Sequence, residues 1–444
     1  MDATSYFKGK KITIMGLGLL GRGVGDTAYL AKCGAELIVT DLKSAEQLAE
    51  SIEQLKEFSN IQFVFGEHRH EDFKDRDFIL KAAGVPIGSP YIETARDAGT
   101  PIKMSASWFA EIARVPVIGV TGTRGKSTTT HMLHSILDHA GKKVLLGGNV
   151  RGVSTLSLLE QVTPEHLALF ELDSWQLQGF GESRMSPHIS IFTTFFPDHL
   201  NYYHNDLDAY LADKANIFLF QKPEDTLVLG SQCAGIIQEK YGAYLESSGA
   251  WKSIVSGDAL PNEWKLKIPG AHNRYDAALA LTAARSLEIS DAVSQEALES
   301  FGGVEGRLQY VRDLDGVAIY NDNNATTPDA TLAALEALSE EYAGKILLIM
   351  GGADKGIDMN ALLAAIPDTT KRVALLVGSG TDRIRENLPT AEMYENLAAA
   401  LGDLRMHAEP GDVILFSPAF ASFGLFTNEY DRNDQFVTMV QSYE

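Results

Sequence analysis

Residues 121–128 read T-G-T-R-G-K-S-T. Gly122 and Gly125 let backbone N–H groups turn inward onto phosphate oxygens with no Cβ in the way. A helix opening at Lys126 adds the positive end of its dipole. Lys126 can bridge terminal phosphates, and the hydroxyl of Ser127 or Thr128 can approach Mg²⁺. With Thr123 and Arg124, the stretch reads as a loop that cradles phosphates. The general phosphate-loop pattern G-x-x-x-x-G-K-[ST] needs glycine at position 120, where this chain has Val120. The loop is therefore a shortened variant, with a plain glycine turn as the alternative.

Other residues carry weaker signals of their own. Gly16, Gly18 and Gly21 follow a strand-like run in a G-x-G-x-x-G pattern, and Asp41 ends the next run. That combination suits a dinucleotide, the diphosphate of a UDP-sugar, or a packing turn without ligand. Glu171 ends the apolar run LALFE, where a hard carboxylate oxygen can meet Mg²⁺ or simply face solvent. Lys214 lies in a helical stretch and by spacing alone is a solvated charge. Lys355, in a loop after a strand, is a natural carboxylate partner. Ser422 can hold a carboxylate by charge-assisted hydrogen bonds or cap a helix.

These residues need a scaffold, and the sequence supplies one. Short apolar runs alternate with helical patterns, which predicts α/β architecture with largely parallel sheets. In such sheets ligands sit at the carboxyl ends of strands, where the candidates lie. At 444 residues the chain exceeds one ordinary core. Three domains are expected, at 1–108, 109–301 and 302–444, with linkers near Ser105–Pro116 and Glu299–Gly306. The strands expected are KITIMGLG, AELIVTD and DFILKAA, then VPVIGVTG, KVLLGG, LALFELD, HISIFTT and DTLVLG, then VAIYND, KILLIMGG, RVALLVG and DVILFSP. A balance of 38 basic against 59 acidic side chains, net −21, argues against nucleic acid and anionic membranes as partners. Phosphates must then be held by local loops and a few chosen cations. Cys33 and Cys233 have neither metal nor redox spacing and are expected to be buried thiols. No signal core or membrane-spanning run is visible, so a cytoplasmic protein is expected, taken as a monomer.

The T-G-T-x-G-K-S loop in a three-block α/β chain resembles the Mur ligase family of ATP-dependent amide-bond-forming enzymes in peptidoglycan synthesis. Further segments carry the likeness along the chain to the D-glutamate-adding members. They are GLGLLGRG, GGNVRG, FELDSWQL, PDHLNYYHNDLDAYLADKANIF, GAHNRYDAALA, YNDNNATTPDATLAAL, MGGADKGIDM and SPAFASFGLFTNEYDRNDQF. The resemblance implies a Rossmann-like UDP-binding domain, a central P-loop ATPase-like domain and a Rossmann-like C-terminal domain. It implies that ATP phosphorylates UDP-N-acetylmuramoyl-L-alanine to an acyl phosphate, which the amine of glutamate then attacks.

On this resemblance Gly16, Gly18, Leu19, Leu20, Lys43 and Gly84 hold the uridine diphosphate. Asn149 and His199 hold the sugar diphosphate or the metal. The loop at 122–128 cradles the phosphates of ATP. Asn273 meets the adenine, Arg307 an ATP phosphate and Asp322 the ribose; Arg307 alone would read equally as a surface salt bridge. Thr326, Lys355 and Ser422 form the glutamate site. Lys126, Glu171, His199 and Lys214 carry the catalysis. Lys214 falls where several Mur ligases have a carbamylated lysine, so Ser127, Glu171, His199 and the Lys214 carbamate would hold Mg²⁺. Three residues depart from the family pattern: Asn324 replaces a lysine, Gly306 a histidine, and Asp276 an asparagine near the nucleotide. The rival readings are a Mur-type ligase for another acceptor such as L-glutamate or a folate-like substrate, a NAD-binding oxidoreductase, and a regulatory nucleotide-binding paralogue.

Overall fold

The structure, a computed structural model, describes residues 3–18 and 21–443. The expected UDP contacts Leu19 and Leu20 lie outside the described residues. Three sheets form in chain order. The first contains β1 (Lys11–Met15), β2 (Glu36–Asp41), β3 (Ile61–Phe65), β4 (Phe78–Lys81) and β5 (Ile102–Lys103). Its strands run parallel in the order β3-β2-β1-β4-β5. The second contains β6 (Val117–Thr121), β7 (Lys143–Gly148), β8 (His166–Glu171), β9 (Ile189–Phe192), β10 (Thr226–Gly230) and β11 (Trp251–Val255). It is also parallel, ordered β11-β10-β9-β6-β8-β7.

The third contains β12 (Gln309–Leu314), β13 (Val317–Asn321), β14 (Ile346–Gly351), β15 (Thr370–Leu376), β16 (Glu392–Tyr394) and β17 (Val413–Phe416), ordered β12-β13-β17-β14-β15-β16. Only β12 runs antiparallel to its neighbour. Central strands such as β6, β13 and β14 are buried along their whole length. That is why they read as continuous apolar runs rather than alternating ones. In the first sheet the order reverses between β1 and β4, and in the second between β6 and β9. Both reversals leave a crevice at the strands' carboxyl ends.

The chain divides into two compact units. One runs to Ala259 and includes Asp276–Ser294; the other comprises Leu260–Tyr275 and the chain from Gln295. The first unit holds the first two sheets, the second unit the third. The helix Ala271–Ser286 begins in the second unit and ends in the first.

The linker expected near Ser105–Pro116 is instead a helix, Ser105–Ala113. Its Trp108 and Phe109 are fully buried. Trp108 meets Phe7 and Phe78 edge-on or tilted at 5.0 Å, and Phe109 meets Phe170 at 5.3 Å. One apolar core therefore runs from the first sheet into the second. Burying two large aromatics there contributes a few kcal/mol each, on the order of 25 cal/mol per Å² of apolar surface. Both cysteines are free and buried. Among the described residues no helix is long and apolar enough to cross a membrane.

Candidate active site

The loop after β6 is built as its sequence suggests. Gly122 and Gly125 have φ of 145° and 82°. A Cβ on Gly122 would stand 2.0 Å from Thr193 Oγ1, and one on Gly125 would stand 2.3 Å from Asp276 Oδ1. Only glycine fits either position. The loop is pinned from β9's end: Thr123 N donates to Thr194 O (2.7 Å) and Arg124 N to Thr194 Oγ1 (2.9 Å). The helix Lys126–His139 follows, and its N-cap Gly125 offers no side-chain cap. The positive end of the helix therefore opens onto the glycine loop, where an anion would be favoured.

Lys126 Nζ turns back onto Gly122 O (3.0 Å) and Thr123 O (3.1 Å). Lys214 Nζ reaches the same Gly122 O at 2.9 Å and Thr121 Oγ1 at 3.4 Å. Lys214 lies in the last turn of the helix Leu207–Ala215, which Asp206 caps through Ala209 N. Its ammonium lies 4.9 Å from the Tyr210 ring centroid, and the side chain is 1% exposed. Burial, and then the like charge of Lys126, push the Lys214 amine well below its ordinary value. The solvated helical lysine is thus excluded: Lys214 is a buried amine against the phosphate loop.

Glu171 ends β8, and the register pairs it with Val120 of β6. Its side chain is buried, so it is not a surface acid. Oε1 accepts from Asn149 Nδ2 (3.2 Å), and Asn149 N donates to Glu171 O (2.7 Å). Oε2 accepts no hydrogen bond among the described residues. One carboxylate oxygen of this largely buried residue is thereby left for a cation. His199, with φ of 52°, packs its ring 4.7 Å from Trp175. Ser127 is buried at the helix start. Among the described residues no three His, Cys, Asp or Glu side chains converge as a metal site. The Ser127, Glu171, His199 and Lys214 set offers one carboxylate. It fits a hard divalent cation only with Lys214 turned into an anion and phosphate oxygens completing the shell.

The crevice between β1 and β4 opens into a cavity of about 760 Å³, lined by Gly16, Gly18, Lys43, Lys81 and Gly84, with Arg22 and Gln176. Asp41, which also lines the cavity, has both carboxylate oxygens engaged by loop amides. Its Oδ2 accepts from Leu17 N (2.9 Å) and Gly18 N (3.1 Å), and its Oδ1 from Lys43 N (2.9 Å). Lys43 Nζ stays 3.8 Å from that carboxylate. Lys81, 1% exposed, donates to Ala82 O, Ala83 O and Val85 O. Burial lowers its amine to about 8.

In the second unit, Lys355 Nζ donates to Thr326 Oγ1 at 2.8 Å, so two members of the expected glutamate trio meet. Ser422 is buried and caps no helix; the next helix, Glu429–Ser442, is capped by Asn428. Asp322 is buried, accepting from Leu308 N (2.9 Å) and Ser417 Oγ (2.8 Å). Burial raises its carboxyl to about 7 against these bonds. Asn273 is buried, with Nδ2 on Pro269 O at 2.6 Å. Arg307 is exposed, with no ion pair among the described residues.

Family models match along the chain: the MurD-like N-terminal domain of Mur ligases at residues 10–103, the Mur ligase middle domain at 120–284, and the Mur ligase glutamate ligase domain at 306–420. A UDP-N-acetylmuramoylalanine–D-glutamate ligase from Roseiflexus sp. (strain RS-1) is 34% identical over 468 residues, covering 98% of this chain and 99% of that protein. The chain belongs to the Mur ligase family. An enzyme of the same name from Borreliella burgdorferi (strain ZS7) is also 34% identical, covering 98% of each chain. The MurF ligase of Thermotoga maritima, solved in complex with ADP, shares the fold at a TM-score of 0.57 and 16% identity, covering 99% of this chain and 96% of that one.

Two of the departures from the Mur ligase pattern prove to be one. Gly306 has φ of 70°, and a Cβ there would stand 3.1 Å from the Asn324 side chain. Asn324 N in turn donates to Gly306 O (2.8 Å). The third, Asp276, is buried against Gly125, and burial pushes its carboxyl well up. Sequence reasoning missed three residues. Asp26 gathers Ser105 Oγ (3.0 Å), Ser154 Oγ (2.6 Å) and Leu156 N (3.3 Å) on one oxygen. Arg432, fully buried, ties Asn323 Oδ1 (2.8 Å) and Asn323 O (2.8 Å) to Phe420 O (3.2 Å). Arg22 donates to Asn149 Oδ1 at 2.7 Å. Only Arg22 left a local signal, a basic residue in a helix's first turn, where the dipole disfavours it.

Proposed function

We propose that this chain is the ATP-dependent ligase that joins D-glutamate to UDP-N-acetylmuramoyl-L-alanine, in the cytoplasm and as a monomer. The full-length likeness to enzymes of that name supports the substrates. One observation carries the chemistry: two lysines, one forced toward neutrality, meet on a single carbonyl of an uncapped phosphate loop. Residues 1–108 hold the UDP-sugar, 109–301 the nucleotide, and 302–444 the incoming amino acid.

The γ-phosphate rests on the loop N–H groups and the Lys126 ammonium, which follows negative charge as it develops. The alanyl carboxylate attacks the γ-phosphorus, the bond to ADP breaks, and an acyl phosphate forms. The amine of glutamate attacks the acyl carbon; the tetrahedral adduct loses a proton and expels phosphate, leaving the amide. The protein's work is positioning and charge neutralisation. The neutral Lys214 amine adds to CO₂, forming an N–C bond and giving one proton to solvent, so a neutral amine becomes an anion. Ser127, Glu171, His199 and that carbamate would hold Mg²⁺, which would supply Lewis-acid neutralisation of the phosphoryl oxygens. Asn149 orients Glu171 through its two hydrogen bonds. Asn273, Arg307 and Asp322 serve the nucleotide, and Thr326, Lys355 and Ser422 the two carboxylates of glutamate.

The test is phosphate release with UDP-N-acetylmuramoyl-L-alanine, ATP and a panel of amino acids. Release should require both the UDP-sugar and D-glutamate. Equal or faster release with L-glutamate or another amino acid would displace the acceptor assignment, and ATP turnover without either substrate would displace the ligase.

A further inference from the structure

We propose that Arg22 is a phosphate-binding residue of the UDP-sugar cavity. The inference rests on the reading of that cavity as the UDP-sugar site. A diphosphate at the crevice needs donors and positive charge, and most of the obvious ones are already engaged. The amides of Leu17 and Gly18, which a glycine loop would offer to phosphate, both donate to Asp41 Oδ2. Lys43 is held near the same carboxylate, 3.8 Å from Oδ1, which offsets its charge. Lys81 directs its ammonium into three carbonyls of its own loop.

Arg22 differs on each count. It lines the cavity from the first position of the helix Arg22–Lys32, whose N-cap Gly21 gives no side-chain cap and whose first turn carries no acid. Its guanidinium makes one hydrogen bond among the described residues, to the neutral amide of Asn149, and no ion pair; the Asp26 carboxyl, one turn along the helix, acts on it only through space and is itself occupied by Ser105, Ser154 and Leu156. Arginine carries five N–H donors in a fork suited to phosphate, so most of the fork remains for a ligand. A cation at the positive end of a helix dipole is unfavourable until an anion joins it. A phosphate would answer helix and guanidinium together.

The same side chain leads onward. Arg22 holds Asn149, and Asn149 holds Glu171 through side chain and backbone. Phosphate on the free edge of the guanidinium would fix the group that orients the strand-end carboxylate.

The test is calorimetric titration of the full chain with UDP and, separately, uridine, for wild type, Arg22→Gln and Arg22→Lys. Arg22→Gln should weaken UDP by at least about tenfold, the worth of a charge-assisted bond, and leave uridine unchanged. Arg22→Lys should recover part of the loss. ADP affinity and the thermal unfolding midpoint should match wild type, which separates lost contact from lost fold. UDP binding in Arg22→Gln within about twofold of wild type would overturn the proposal, as would an equal loss for uridine. Wild type binding neither UDP nor uridine would instead overturn the reading of the cavity, and this inference with it.

Discussion

Replacing Asp26 by Asn should alter how stability depends on pH, by an amount the structure sets. The Asp26 carboxyl is buried, and burial lifts it from 3.8 to about 6 despite hydrogen bonds from Ser154, Ser105 and Leu156. The folded protein therefore keeps a proton that the unfolded chain has released. Stability from this group is complete below the unfolded value and is lost as pH rises toward the folded one. The full loss is about 3 kcal/mol at about 1.4 kcal/mol per unit. Roughly half of it, about 1.4 kcal/mol, falls between about pH 5 and pH 8. Asparagine keeps the acceptor oxygen for the three donors and does not titrate. The measurement is urea unfolding across that range with Trp108 as sole tryptophan, so that the first unit is reported. The variant should gain on wild type as pH rises and level off above about pH 7. A difference flat in pH, or one that grows as pH falls, would refute the assignment of a raised carboxyl at Asp26.

Gly125→Ala should impair nucleotide binding while leaving UDP binding intact, because it combines a left-handed backbone costing about 1–2 kcal/mol with a Cβ 2.3 Å from Asp276 Oδ1; paired ADP and UDP titrations check it. Lys214→Ala should lower turnover by about 100-fold or more. Wild-type turnover should fall in CO₂-stripped buffer and return with bicarbonate, while the variant responds to neither. Lys355→Met should raise the KM for D-glutamate about 10–100-fold through one lost charge-assisted bond, with the KM for the UDP-sugar unchanged; steady-state kinetics in each substrate separate the two.

The interior of each sheet was legible because burial on both faces writes a continuous apolar run. The strands left unread were β3, β5, β11, β12 and β16, and each lies at a sheet edge. β11 and β12 show why: their residues are largely exposed or half-buried, so neither a continuous nor an alternating pattern marks them. The helix at Ser105–Ala113 was mistaken for a linker because its role is to seal two sheets into one core, a tertiary fact with no local mark. The phosphate loop was legible because its glycines, lysine and hydroxyls are contiguous. Lys214 was not, since its environment is set by Gly122, 92 residues away. Arg22 and Asn149 are 127 residues apart, and Asp26 and Ser154 are 128 apart. Hydrogen bonds of that span leave no spacing rule for a sequence to obey. The Gly306 and Asn324 departures looked like two losses in sequence and became one complementary contact in space.

The central claim is that the substrate's carboxylate is phosphorylated before glutamate attacks. It is tested most directly by preparing UDP-N-acetylmuramoyl-L-alanine with ¹⁸O in both oxygens of the alanyl carboxylate and analysing the released phosphate by mass spectrometry. The account predicts one ¹⁸O carried into each phosphate formed with D-glutamate. Unlabelled phosphate alongside amide product would contradict it.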